Sequence, residues 1–101
     1  MEGFIMDIEG ILVTLARACD EVCDEHYSEP LWLALDGELT LVNAHEAVKA
    51  TRERIKGGHP EHGMLKGVHQ MNLQWAVGTA MEDLKRLKHA GWVPLRERLN
   101  P

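Results

Sequence analysis

The sequence predicts an all-α fold: a small bundle of about four helices with one long C-terminal helix, in a single domain spanning residues 1–101. Three observations predict it. Near the N-terminus, apolar residues recur at alternating steps of three and four. A middle segment is bracketed by a capping signature and a Gly-Gly stop. Beyond Pro60, no stop is read before Gly91.

The first element runs from about Phe4 to His26. Ile5, Ile8, Leu12, Leu15, Cys19 and Val22 form a heptad seam, and the acids Asp20, Glu21, Asp24 and Glu25 lie off it. The second is "SEPLWLALDG", where Ser28 can cap, Pro30 suits a first turn and Gly37 can end a short helix. An extended segment is the alternative. Its run from Leu31 to Leu35 is apolar all round, which predicts burial between other elements. The third opens at "NAHE", with Asn43 as N-cap and Glu46 three residues on. Its apolar side is Ala44, Val48, Thr51 and Ile55, and it ends at Gly57-Gly58 after Lys56.

The fourth element, opened by Pro60, would be a helix about 45 Å long. That exceeds what a compact domain of this length covers, with its radius of gyration of about 13 Å. Met64, Val68, Met71 and Trp75 point one way, and Leu73, Val77, Ala80, Leu84 and Leu87 roughly the other. Either the helix bends or breaks near Gly78, or it stays long and serves two packing partners. The second reading implies a subunit interface, and a homodimer is expected.

Apolar residues are 45% and charged residues 27% of the chain, the balance of a globular protein rather than a disordered one. No apolar run approaches the roughly 20 residues of a membrane span, and no secretory signal is read at the N-terminus. A cytoplasmic location is expected. Charge is uneven: residues 1–46 carry eleven acids against Arg17 alone, and residues 47–101 carry ten Lys or Arg against five acids. The acidic half is expected to pack near the basic half, within one chain or between two. Direct nucleic-acid binding is not expected, because no aromatic residues alternate with the cations as a stacking platform requires.

Little of the sequence reads as catalytic chemistry. Ser28 is the only serine, no HExxH or phosphate loop is present, and the adjacent Glu82 and Asp83 face apart. The chain is expected to be non-enzymatic and to need no cofactor. "ACDEVCDEH" places Cys19, Cys23 and His26 on one face if the helix continues, a possible metal set. The spacing C-x3-C-x2-H is not a common zinc pattern, and a seam cysteine packs as a small hydrophobe, so a core role is favoured. "GGHPEHGMLKGVH" concentrates His59, His62 and His69; a polar loop and solvent-facing helix side is favoured over a metal or phosphotransfer site. Trp32 and the stripe Met64, Val68, Met71 and Trp75 are the candidate partner-binding residues, since Met and Trp together suit an adaptable groove; packing in the chain's own core is the other reading.

The tail "MNLQWAVGTAMEDLKRLKHAGWVPL" is a long methionine-containing helix closed by Gly91, Trp92, Val93 and Pro94. Over this last third the chain resembles the TraM antiactivators of quorum sensing. In size and helical character it is also similar to the antiactivator QslA. The resemblance implies an all-helical, dimeric protein that binds a LuxR-type transcription factor and blocks its dimerisation or DNA binding; no single contact residue is carried over. A small phage- or plasmid-type inhibitor of another protein machine and a metal-stabilised helical module are the alternatives.

Overall fold

The computed structural model describes residues 7–22 and 25–91. Four helices follow in order: α1 (Ile8–Val22), α2 (Glu29–Asp36), α3 (Leu41–Gly57) and α4 (Gly67–His89). The described residues contain no strand, only an isolated bridge between His59 and Gly63. The all-α expectation holds. Helices α1 and α3 touch each other and both remaining helices, whereas α2 and α4 do not meet. The four therefore sit at the corners of a rhombus whose short diagonal is α1–α3.

Helix α1 starts where Asp7 caps it, its carboxylate accepting the Gly10 N–H at 2.8 Å. Of the expected seam, Ile8, Leu12, Leu15 and Cys19 are buried, Val22 is half-buried, and Ile5 lies outside the described residues. Ile11 and Ala16 are buried as well. A helix touched by all three others needs an apolar arc wider than a two-stranded seam. The expected extension to His26 is corrected: residues 25–28 form a turn, with Glu29 N–H donating to the Glu25 carbonyl at 2.8 Å.

Helix α2 keeps Pro30 in its first turn and ends before Gly37. Ser28 precedes it, but its side chain makes no cap. Instead the Ser28 hydroxyl donates to the Asp20 carboxylate of α1, and Trp32 Nε1 donates to the other Asp20 oxygen at 3.1 Å. The expected burial on all sides is also corrected. Leu31 is buried but Leu33 is 64% exposed. With α1 and α3 as its only helical neighbours, α2 has one uncovered side among the described residues.

The N-cap of α3 is Thr40 rather than Asn43. The Thr40 hydroxyl accepts the Asn43 N–H at 3.0 Å, and the Asn43 side chain donates to the Glu38 carbonyl. Both residue types cap well; the helix simply begins three residues earlier, with Asn43 as a donor. Ala44, Val48, Thr51 and Ile55 are all buried, as expected. Two α3 side chains tie down the preceding turn. Thr51 Oγ1 donates to the Tyr27 carbonyl at 2.9 Å, and Arg54 Nη1 lies 2.8 Å from both the His26 carbonyl and Glu29 Oε1. Arg54–Glu29 also joins the acidic half of the chain to the basic half.

Pro60 does not open α4. It lies in the turn of a tight hairpin in which His59 and Gly63 exchange backbone hydrogen bonds, both 2.8 Å. Gly58 and Gly63 have φ of 80° and 79°, which glycine reaches without a steric penalty. Helix α4 starts at Gly67 and runs unbroken through Gly78 to His89, 23 residues or roughly 35 Å. Of the two alternatives, the helix stays long and does not break. Leu73, Val77, Ala80, Leu84 and Leu87 are its buried side against α1 and α3.

Candidate functional site

Opposite that buried side, α4 presents apolar residues to solvent. At about 100° per residue, Val68, Met71 and Trp75 fall within roughly 60° of one another and about 160° from the centre of the buried row. Their exposures are 65%, 68% and 75%, and Met64, just before the helix, is 59% exposed. The Met64 sulfur rests against Gly58, where an added Cβ would lie only 2.8 Å from it. Three of the five expected partner residues, Val68, Met71 and Trp75, thus share one outward face of α4, and a fourth, Met64, is exposed just ahead of it. Trp32 is not on it. It is half-buried on α2, bonded to Asp20, and α2 does not reach α4.

Trp75 also stands at the edge of a groove of about 380 Å³ between α1 and α4. Small side chains line much of it: Gly10, Thr14 and Ala18 from α1, Ala76 and Thr79 from α4. The four-residue spacing of Gly10, Thr14 and Ala18 puts them on one face, leaving α1 without bulk there. A bulky apolar knob and a shallow hole with small walls therefore lie side by side. A second groove, between the start of α3 and the end of α4, has Val42 (70% exposed) and Met81 along it, with Lys85 and Lys88.

The cysteine–histidine set of the N-terminal region is not assembled as one helix face. Cys19 is fully buried in the core, and its thiol is pushed up to about 12, first by burial and then by the Asp20 charge. Such a thiol is a poor nucleophile and a poor metal ligand. Cys23 lies outside the described residues. His26 belongs to the turn after α1, its ring 5.1 Å from the Tyr27 ring and 5.0 Å from that of His59.

Of the three histidines that the sequence concentrates, His59 and His62 lie in the hairpin and His69 is exposed on α4. The rings of His59 and His62 stack at 4.3 Å, tilted by 32°. His59 is buried, with Tyr27 and His26 edge-on to it. Its Nδ1 accepts the N–H groups of Glu61 at 2.9 Å and His62 at 3.2 Å, so the side chain caps the turn it belongs to. The donor atoms of His59, Glu61 and His62 lie within 4.8 Å of one another. Sequence reasoning singled out His59 and His62 but missed Glu61 beside them and the His26 contact, because His26 and His59 meet only through tertiary packing. The glycines flanking "HPEH" were the available signal for a tight turn.

No protein-family model, curated protein or solved structure matches the chain. Its class is therefore that of the fold, a small four-helix all-α bundle. The helix ending at Gly91–Pro94, on which the antiactivator resemblance rests, falls mostly on residues outside those described. No described helix is long and apolar enough to cross a membrane.

Proposed function

We propose that the chain is a non-enzymatic protein-binding inhibitor whose docking face is the stripe Met64, Val68, Met71 and Trp75. One observation carries this reading: Val68, Met71 and Trp75 form an outward apolar row opposite the core side of the same helix, with exposed Met64 just before it. Soluble monomers seldom leave such a contiguous patch without a partner. Met and Trp fit the role, one adaptable and the other a large anchor. The occupant is a helix of a target protein. Its apolar side chains would lie along the stripe and reach the adjoining α1/α4 groove.

In its most concrete form the target is a LuxR-type transcription factor, and occupation of its pairing helix blocks its dimerisation or DNA binding. The resemblance of the C-terminal third to the quorum-sensing antiactivators supports that version. Without a target, the stripe pairs with a second copy. Knob and hole on one face are what a two-fold interface between identical chains requires. Homodimer and target complex are then alternatives for one surface, and the unequal charge halves orient the encounter.

The test uses wild-type protein and Trp75→Ala as baits in the native cytoplasm, with sedimentation of each alone. A LuxR-type regulator held by wild type and lost by the variant supports the proposal, as does a dimer mass that falls toward a monomer. The loss expected from a central anchor is about 2 kcal/mol or more, roughly 30-fold in affinity. Only about a quarter of Trp75 is buried within the chain. Its removal should therefore cost about 1 kcal/mol of folding stability, against 3–5 kcal/mol for a core tryptophan. Unchanged capture and mass in Trp75→Ala would overturn the stripe as the docking face. Capture of a nuclease or another machine in place of a regulator would favour the alternative inhibitor.

A further inference from the structure

We propose that the hairpin His59–Gly63 is a binding site for a late first-row divalent metal ion such as zinc, with His59, Glu61 and His62 as ligands. Two imidazoles and one carboxylate are a donor set that zinc, cobalt, nickel and copper accept. Magnesium and calcium, which take oxygen donors, do not suit it.

The geometry is close to what an ion needs. With metal–nitrogen bonds of about 2.0–2.1 Å, tetrahedral donors stand about 3.3 Å apart. Here the three candidate atoms already lie within 4.8 Å of one another. Glu61 and His62 are exposed and can close the remaining gap by rotamer changes. The frame that carries them is held by the paired His59–Gly63 backbone bonds, between glycines at positive φ. His26 and Tyr27 pack edge-on against His59 and orient its ring. Three protein ligands leave a fourth position for water.

Binding has a specific cost, which gives it a signature. In a neutral imidazole one nitrogen bears the proton and the other is an acceptor. His59 Nδ1 accepts from the Glu61 and His62 N–H groups, so the ring proton sits on Nε2. An ion taken at Nδ1 displaces those two N–H groups outright. An ion taken at Nε2 sends the ring proton to Nδ1, where it faces the same two N–H groups and repels them. By either route both turn hydrogen bonds are exchanged for coordination. The amides of Glu61 and His62 must therefore respond when the site fills.

The experiment titrates zinc chloride into the whole protein in a non-coordinating buffer, followed by calorimetry and by amide NMR. The expected result is saturable binding of one ion per chain, with the largest amide shifts at Glu61 and His62, and no binding of calcium. His62→Ala and Glu61→Gln, both at exposed positions outside the core, should each weaken binding about tenfold or more. A variant carrying Cys19→Ala with Cys23→Ser should bind as wild type does. Absence of saturable binding at millimolar zinc would overturn the site. So would affinity unchanged in both hairpin variants, or affinity lost with the cysteines. Because Met64–Trp75 is not the ligand set, failure here leaves the docking face standing, and the reverse also holds.

Discussion

Replacing Gly78 with alanine should stabilise the protein, and the size of the gain follows from its surroundings. Gly78 lies in the middle of α4, exposed, with ordinary negative φ, and a Cβ built there meets nothing within 4 Å. No packing is lost and no clash is made. What remains is the intrinsic difference between glycine and alanine inside a helix, about 0.8–1.0 kcal/mol in favour of alanine. For a domain of this size that raises the thermal midpoint by roughly 4–8 °C. The assay is thermal unfolding followed by helical circular dichroism, with urea unfolding as a second route to the free energy. It should be run at several protein concentrations, because Gly78 is about 60° around the helix from Trp75 and borders the exposed stripe. A lower midpoint at every concentration would refute the continuous helix, since only a bend or a non-helical backbone at Gly78 makes alanine unfavourable there. A higher midpoint that comes with weaker self-association would instead place another chain's backbone close against Gly78.

Gly58→Ala should act in the opposite direction. At φ 80° and ψ −179° Gly58 occupies a region almost confined to glycine, and its Cβ would sit 3.0 Å from the Gly63 carbonyl oxygen; a loss of roughly 2–4 kcal/mol in urea unfolding is expected, and a loss below about 0.5 kcal/mol would contradict the hairpin geometry. Cys19 should resist thiol reagents in the folded protein and react on unfolding. Its folded thiol ionises only near 12, against 9.0 when unconstrained, so the unfolded chain alone releases that proton between these values and stability should fall as pH rises through the window; a stability profile that stays flat from pH 9 to 11 would count against the buried placement.

Periodicity carried most of the fold. The rows Ile8–Leu12–Leu15–Cys19, Ala44–Val48–Thr51–Ile55 and Leu73–Val77–Ala80–Leu84–Leu87 were legible because burial on one side of a helix imposes a 3.6-residue repeat, and all of them are buried. The outward stripe was legible for the same reason, as an apolar row that the core side left over. Boundaries were less legible. Pro60 suits both the first turn of a helix and the second position of a tight turn, and only the flanking glycines decide between them. Thr40 and Asn43 are both good caps, and which one accepts depends on where the backbone begins to coil. Leu33 reads as core by composition, yet its burial depends on a neighbour that α2 does not have. The packing of His26 and Tyr27 against His59 lay beyond sequence reasoning, since no local pattern brings the turn after α1 onto the loop after α3.

The missing contact between α2 and α4 divides the molecule's cooperativity. Helix α2 is eight residues long, too short to persist alone in water. It is held by Leu31 in the core, by the two hydrogen bonds to Asp20 and by the Arg54 pair with Glu29. None of these involves α4. Helix α2 is therefore the element expected to open first, below the free energy of global unfolding, since it has no contact with α4 of its own. Trp32 and Trp75, two of the three tryptophans, then report different events. Trp32 loses its Asp20 bond and its half-buried setting when α2 opens, while Trp75, already in solvent, stays silent until something lands on it.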